Sequence, residues 1–268
     1  MRIPFTKAHG ARNDFLLTWT NEAPLENLPS VAEAICDRHS GIGADGWMLV
    51  TPAGPESGHH AVIRLFNADG SEAEISGNGT RCAAAFLLDS GLGAETVRIL
   101  TGAGLKELRV GNRDRLRYLF EMDMGRPSWK PEELRFPLPL STGTLEVTIL
   151  DVGNPQCAVF VENFEFDWRK TGAEIECHPQ FPRRTNVSFV RPLDRHSIEV
   201  RFYERGAGET MSSGTGSTGA AWAAALRGLV ESPVRILTEG GPLDARWDGS
   251  VYLTGPAEIV AGGEYYLD

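Results

Sequence analysis

The chain has 268 residues, of which 41% are hydrophobic and 23% are charged, and these values exclude a disordered, collagen-like or coiled-coil protein. Its 26 Lys and Arg residues against 36 Asp and Glu residues leave a formal charge of −10, which argues against nucleic acid or an anionic membrane as a partner. The longest apolar stretches, Cys82–Leu88 and Ala220–Leu226, are far shorter than the roughly 20 residues that a membrane-spanning helix needs.

Taken in chain order, the hydrophobic pattern predicts many short strands and few helices. The predicted strands are Phe15–Trp19, Trp47–Val50, Val62–Phe66, Val97–Leu100, Leu116–Met122, Leu145–Leu150, Ala158–Val161, Val187–Val190, Ile198–Tyr203, Val234–Leu237 and Val251–Leu253. The predicted helices are Val31–His39, Asn78–Leu88 and Gly216–Arg227. This arrangement favours an α+β or mixed α/β fold over a regular βαβ winding. The Pro-rich residues 126–139 predict a connector between two halves.

Two segments of the chain resemble each other. Residues 76–87 are SGNGTRCAAAFL and residues 213–224 are SGTGSTGAAWAA, an offset of 213 − 76 = 137 residues, about half the chain. Each segment follows an acidic, Gly-containing loop. The repeat predicts two similar domains, each with a Ser at the N-terminus of a buried, Ala-rich helix.

Glycine-rich helix N-termini of this kind bind anions, because the first backbone N–H groups have no acceptor in the helix and the positive end of the macrodipole lies there. Two such ends predict a site for a small anionic ligand. The simpler alternative for each Ser is an N-cap, which is a common role. The pairing of the two segments favours a site.

Other binding motifs are weak or absent from the sequence. Residues 214–219 match GxGxxG, but a dinucleotide site needs a strand that leads directly into the first Gly, and residues 205–213 predict a loop there. The four cysteines form no CxxC pair and the histidines form no HExxH motif, so no metal site is predicted. The N-terminus lacks the apolar core of a signal peptide, which favours reduced thiols and a cytoplasmic location.

With these motifs in place, the chain resembles the diaminopimelate epimerases, which are cofactor-independent amino-acid epimerases. The resemblance covers nearly the whole chain. It rests on Lys7-Ala8-His9-Gly10, Asn13-Asp14-Phe15, residues 37–46 (DRHSGIGADG), Phe66-Asn67-Ala68-Asp69-Gly70-Ser71-Glu72, Ser76-Gly77-Asn78-Gly79, Arg81-Cys82, Gly153-Asn154-Pro155, His178-Pro179, Arg184-Thr185-Asn186-Val187, residues 204–210 (ERGAGET) and Ser213-Gly214-Thr215-Gly216.

The resemblance implies two pseudo-symmetric α/β (α+β-like) domains, each a curved, mixed or antiparallel sheet wrapped around a central helix, with the active site between them. The expected domains are residues 1–120, completed by 258–268, and residues 121–257. The expected activity interconverts LL- and meso-diaminopimelate in lysine and peptidoglycan precursor biosynthesis. The expected partner is an amino-acid substrate, without a cofactor, metal, nucleic acid or membrane, and a homodimer is one expected assembly.

The resemblance also assigns roles to residues at matching positions. The positions of the two proton-transfer residues are Ser76 and Ser213, and Glu204 is a further candidate catalytic residue. Arg205 is expected at the distal carboxylate of the substrate, because the guanidinium fork binds carboxylates through two hydrogen bonds. The expected substrate-binding residues are Asn13, Asn67, Gly77, Asn78, Asn154, Asn186, Glu204, Arg205, Gly214 and Thr215.

Three positions depart from the family pattern. The family uses a thiolate and a thiol at the starts of the two helices, whereas this chain has Ser76 and Ser213, and an alcohol is much harder to ionise than a thiol. Gln156 stands where the family commonly has a His. Cys82 lies six residues after Ser76, about 9 Å along a helix, so it is not expected to replace it.

Three functions therefore remain open. The chain could be a diaminopimelate epimerase with serines at the acid/base positions. It could be a related isomerase or dehydratase that uses Glu204, Glu72 or Glu209 instead. It could also be a non-catalytic amino-acid-binding protein that keeps the pocket.

Overall fold

The computed structural model describes residues 1–267. The chain forms two compact units, which we call the N-terminal unit (Met1–Met122 with Gly255–Asp268) and the C-terminal unit (Asp123–Thr254). The domains expected from the sequence, 1–120 with 258–268 and 121–257, have bounds within a few residues of these, and residue 268 lies outside the described part.

The N-terminal unit is a mixed sheet with two helices. The helices are α1 (Leu28–Cys36) and α2 (Gly77–Asp89). The strands are β1 (Arg2–Gly10), β2 (Asn13–Trp19), β3 (Gly46–Pro52), β4 (Ala61–Asn67), β5 (Glu72–Ala73), β6 (Thr96–Thr101), β7 (Gly104–Asp114) and β8 (Arg117–Asp123). Strands β2 and β3 are parallel, as are β4 and β6, and the other pairs within β1–β8 are antiparallel.

The C-terminal unit has the same construction. Its helices are α3 (Trp168–Glu176) and α4 (Gly214–Leu226). Its strands are β9 (Phe136–Leu140), β10 (Gly143–Asp151), β11 (Pro155–Phe160), β12 (Asn186–Asp194), β13 (Ser197–Glu204), β14 (Gly208–Thr210), β15 (Val234–Thr238), β16 (Gly241–Asp248) and β17 (Ser250–Tyr266), of which β17 continues into the N-terminal unit and pairs there with β1.

The two units repeat one order of elements. Strands β2 and β3 are parallel and flank α1, and β11 and β12 are parallel and flank α3. The second helix of each unit has 13 residues, and α4 begins 214 − 77 = 137 residues after α2, which is the offset of the sequence repeat. The predicted fold class and the predicted internal repeat are therefore confirmed.

In each unit the second helix is the central one. Every residue from Asn78 to Leu87 of α2 is buried, and most of α4 is buried as well. A helix that is buried all round has no polar face. The Ala, Gly, Ser and Thr residues of these helices are small enough to let strands pack against them on several sides, and α4 contacts β10, β11, β12, β13, β15 and β16.

Some elements differ from the sequence prediction. The stretch 126–139 is not a connector between the halves, because Phe136–Leu140 forms β9 and pairs with β10 inside the C-terminal unit. Helix α3 was not predicted, because Gly172 and several polar residues interrupt its apolar pattern. Within residues 1–267, no helix combines the length and hydropathy needed to cross a membrane.

Candidate active site

Ser76 and Ser213 are the N-caps of the two central helices. Both have extended backbones, and the Oγ atom of each accepts a hydrogen bond of 3.1 Å from the third residue of its helix, Gly79 N–H or Gly216 N–H. The first residues of an α-helix have no intrahelical acceptor for their N–H groups. Those residues are Gly77 and Asn78 in α2, and Gly214 and Thr215 in α4, which are predicted carboxylate-binding positions.

The second Gly of each Ser-Gly-x-Gly segment is required by close packing. A Cβ atom at Gly79 would lie 2.7 Å from Met48 Cε, and one at Gly216 would lie 2.8 Å from the Phe202 ring. The same glycines donate the N–H groups that the serines accept. The repeated motif therefore combines a helix cap with a close approach of the helix to the sheet.

In the C-terminal unit, Ser213 is bonded to a carboxylate. Its hydroxyl donates a 2.6 Å hydrogen bond to Glu204 Oε2, while Thr210 donates one of 2.6 Å to Oε1 of the same residue. Burial raises the pKa of the Glu204 carboxyl, and the two hydroxyl donors offset part of that effect. A carboxylate with a raised pKa at this position can accept the Ser213 proton, which an alcohol needs in order to react.

Among the residues that the structure describes, the N-terminal unit has no equivalent pair. The hydroxyl of Ser76 has no carboxylate partner within the described residues, and its Oγ only accepts from Gly79. Asn67 ends β4 as Glu204 ends β13, and each lies nine residues before its cap serine in the sequence. Asn67 Nδ2 donates instead to Ser71 Oγ at 2.9 Å. An amide does not accept a proton near neutral pH, so of the two serines only Ser213 has a base beside it in the described part of the chain.

Asn154 joins α4 to β11, and Asn186 joins β12 to β11. Asn154 Nδ2 donates to Thr215 Oγ1 at 3.3 Å, and its Oδ1 accepts a 2.7 Å bond from Gln156 Nε2. Asn186 Nδ2 donates to Pro155 O at 3.2 Å. The structure therefore brings Asn154, Asn186, Glu204, Ser213 and Thr215 to one end of the C-terminal unit.

Arg205 follows directly in the turn after β13. Its backbone N–H donates to Asn186 Oδ1 at 3.0 Å, and its exposed guanidinium donates to Arg183 O at 3.3 Å. This main-chain contact leaves most of the guanidinium N–H groups available for a ligand.

In the N-terminal unit, Asn13 and Asn78 belong to one hydrogen-bonded chain. The fully buried Arg81 donates to Asn78 Oδ1 at 2.5 Å, Asn78 Nδ2 donates to Asn13 Oδ1 at 3.2 Å, and Asn13 Nδ2 donates to Asp45 Oδ2 at 2.6 Å. Arg can only donate and a carboxylate can only accept, so the two ends determine the orientation of both amides.

The alternative acid/base residues lie elsewhere. Glu72 forms a bidentate ion pair with Arg64, and Glu209 forms one with Arg169, and neither carboxylate is hydrogen-bonded to a cap serine. Burial raises the pKa of the Cys82 thiol to about 12, so this residue stays protonated inside α2.

Sequence reasoning missed three residues that support these groups: Thr210, Asp45 and Arg81. Arg81 had a visible signal, since it is the one charged residue among the buried residues of α2. Thr210 and Asp45 lie in two of the matched family motifs, residues 204–210 and 37–46, but only the folding of the chain brings each of them to its partner.

Comparisons with known proteins place the chain in a family. A family model described as diaminopimelate epimerase matches residues 5–130 and 148–260. The diaminopimelate epimerase of Azoarcus sp. (strain BH72) is 40% identical over 281 residues, covering 100% of both chains. That of Pelotomaculum thermopropionicum is 41% identical, covering 97% of this chain and 98% of its own. This chain belongs to the diaminopimelate epimerase family. It is accordingly an isomerase-type enzyme, an amino-acid epimerase.

Solved structures share the fold of this family member at much lower identity. A PhzF-family phenazine biosynthesis protein from Bacillus anthracis has a TM-score of 0.72 at 15% identity, covering 100% of both chains. A hydroxyproline epimerase from Agrobacterium vitis has a TM-score of 0.70 at 16% identity, covering 98% of this chain and 92% of its own. At these identities the likeness shows the fold alone.

Proposed function

We propose that this chain interconverts LL- and meso-diaminopimelate by two-base proton transfer at the α-carbon, without pyridoxal phosphate. Family membership supports the reaction class, and the full-length diaminopimelate epimerase relatives support the substrate. The observation that carries the mechanism is the 2.6 Å hydrogen bond from Ser213 to Glu204 at the start of α4.

Inversion needs a base on one face of the α-carbon and an acid on the other. In the proposed mechanism, Ser213 Oγ takes the α-proton while its own hydroxyl proton moves to Glu204. Ser76 then gives its hydroxyl proton to the opposite face of the α-carbon, and the cycle closes when the Ser76 alkoxide takes a proton from water and Glu204 releases its proton to water. The N–H groups at the two helix N-termini bind the α-carboxylate and stabilise the negative charge that develops beside it.

The contrast between the serines favours a second candidate. Because Ser76 has no carboxylate partner within residues 1–267, a related isomerase could use Glu204 as its single base and form a different product. This candidate keeps the same binding residues and needs no second base. It differs from the first in its stereochemical outcome.

Incubation of LL- and meso-diaminopimelate in deuterated water separates the candidates. Inversion with deuterium at the α-carbon supports the epimerase, and Glu204→Gln should then lower the rate from both stereoisomers. A new product without inversion supports the single-base isomerase. Tight binding without exchange or conversion identifies a binding protein. The absence of a cofactor requirement stays a prediction, which chelator dialysis followed by the same assay would check.

A further inference from the structure

The carboxylate of Glu176 is buried at the C-terminal end of α3, and none of the steps above uses it. Glu176 is 2% exposed. Its Oε1 accepts a 3.1 Å hydrogen bond from Gly206 N–H, and its Oε2 accepts one from the Arg184 guanidinium. The two carboxylate oxygens therefore accept hydrogen bonds from two separate loops, one oxygen from each.

This position is costly for a negative charge. Burial removes a carboxylate from water, and the C-terminal end of a helix carries the negative end of the macrodipole. The side chain of Arg184 is 54% exposed, so its ion pair with Glu176 offsets the desolvation free energy of the carboxylate only in part. Global stability is therefore a poor explanation for a carboxylate here.

The two loops that Glu176 joins carry the proposed substrate-binding residues. Arg184 precedes Asn186 by two residues, and its φ of 59° lies in the left-handed region that a long side chain seldom adopts. The backbone of Thr185 is held as well, since its N–H donates to Glu176 O at 3.1 Å. Gly206 follows Arg205 directly. One buried residue thus holds both loops.

The loops also contact each other through Arg205. Its N–H donates to Asn186 Oδ1, and its guanidinium donates to Arg183 O. Any movement of Gly206 away from Glu176 shifts the backbone of Arg205, and with it the guanidinium. A displacement of about 1 Å is enough to spoil a positioned binding group.

We infer that Glu176 is a positioning residue that sets the specificity of the site for a second, distal carboxylate on the substrate, by holding Arg205 and Asn186 in place. The inference rests on the proposed function, because it assumes that Arg205 binds that carboxylate. Glu176 would act through the two loops, since both of its carboxylate oxygens are bonded to them.

The test compares Glu176→Gln and Glu176→Met with Glu174→Gln as the matched control. Glu174 lies on the same helix and accepts hydrogen bonds from Ser141, away from both loops. A Gln at 176 has one carbonyl oxygen and satisfies one of the two donors, whereas Met satisfies neither. The freed donors reach water, since Gly206 and Arg184 are exposed. Neither variant should therefore lower the free energy of unfolding, measured by urea titration.

Calorimetry with meso-diaminopimelate and with lysine, which lacks the distal carboxylate, gives the deciding measurement. We expect the Kd for diaminopimelate to rise about tenfold in Glu176→Gln and further in Glu176→Met, with Glu174→Gln unchanged and the Kd for lysine unchanged in all three. An unchanged Kd for diaminopimelate overturns the inference. A parallel loss for both ligands together with lowered stability also overturns it, because it shows a merely structural role.

Arg205→Ala separates failure of the inference from failure of the proposed function. If Arg205→Ala weakens diaminopimelate binding selectively while the Glu176 variants do not, the inference alone is wrong. If Arg205→Ala affects diaminopimelate and lysine equally, the assignment of Arg205 is wrong, and the inference fails with it.

Discussion

Replacing both Ser76 and Ser213 by Cys should raise the epimerase rate strongly. The N-cap geometry of the serines places each Oγ at the positive end of a helix, and a thiol at the same position would lie in the same field. Such a field favours a thiolate, which is the form that can remove a proton. The substitution changes one atom at each position, and the thiol sulfur accepts the cap hydrogen bond more weakly than the hydroxyl oxygen does.

The magnitude follows from acid strength. A thiol has a pKa of about 8.5, and a helix N-terminus contributes about 0.3–1 kcal/mol, which lowers it to about 8. An alcohol is a weaker acid than this thiol by about 7.7 pKa units, or about 10 kcal/mol. The thiolate is also a weaker base than the alkoxide, so it takes the α-proton less readily. With a Brønsted coefficient of about 0.5, this offsets half of the difference, and the thiol lowers the barrier by about 5 kcal/mol. The expected gain is on the order of 10³–10⁴-fold.

The single variants should differ in a way that the structure predicts. Ser213 already has Glu204 as a proton acceptor, whereas Ser76 has no carboxylate partner among the described residues. Ser76→Cys should therefore gain more than Ser213→Cys, and each single variant should gain less than the double one. Ser90→Cys is the control, since it adds a thiol at the C-terminal cap of α2, where the macrodipole disfavours a thiolate.

The assay measures α-proton exchange and inversion of diaminopimelate in deuterated water for the parent and all four variants. If the double variant binds diaminopimelate and stays as slow as the parent, the two serines are not the acid/base pair. Glu204 would then be the base of a single-base isomerase. Equal gains for the two single variants would refute the contrast that we draw between the helix caps.

Two further predictions concern the C-terminal unit. Gly216→Ala should lower the free energy of unfolding by about 1–3 kcal/mol, because the new Cβ would lie 2.8 Å from the Phe202 ring, whereas Gly54→Ala, which meets nothing within 4 Å, should have little effect in the same urea titration. The raised pKa of Glu204 means that the folded state binds the carboxyl proton more tightly than the unfolded state does. The protonated carboxyl therefore contributes to the free energy of unfolding, and this contribution is lost as the pH rises above about 4.3, the value of an unperturbed Glu. Glu204→Gln should remove that loss, so the stability of the variant relative to the parent should increase between pH 4 and pH 8. A constant difference over that range would contradict the raised pKa of Glu204.

Much of the candidate site could be predicted from local pattern and family resemblance. The serines, the glycines of the first helical turns and the amides at strand ends are adjacent in sequence to the elements that present them. Their partners could not be predicted in the same way. Glu204 meets Ser213 across a turn and strand β14, while Asn67 occupies the corresponding strand end and bonds to Ser71. The role of Glu176 depends on two loops that are distant in sequence.

The sequence by itself determined the repeat, the fold class, most strands and the two capped central helices, because hydrophobic periodicity, cap residues and glycine spacing act over a few residues. It did not predict α3, the strands β1, β5, β7, β9, β14 and β16, or the length of β17. Gly262 and Gly263 of β17 resemble a turn and are kept extended by pairing with β1. Only the tertiary structure decided which serine has a base, which amide orientations are locked and where the buried carboxylate of Glu176 is neutralised. These are hydrogen bonds between segments, and their donors and acceptors are brought together by the register of the sheet and the packing of the helices against it.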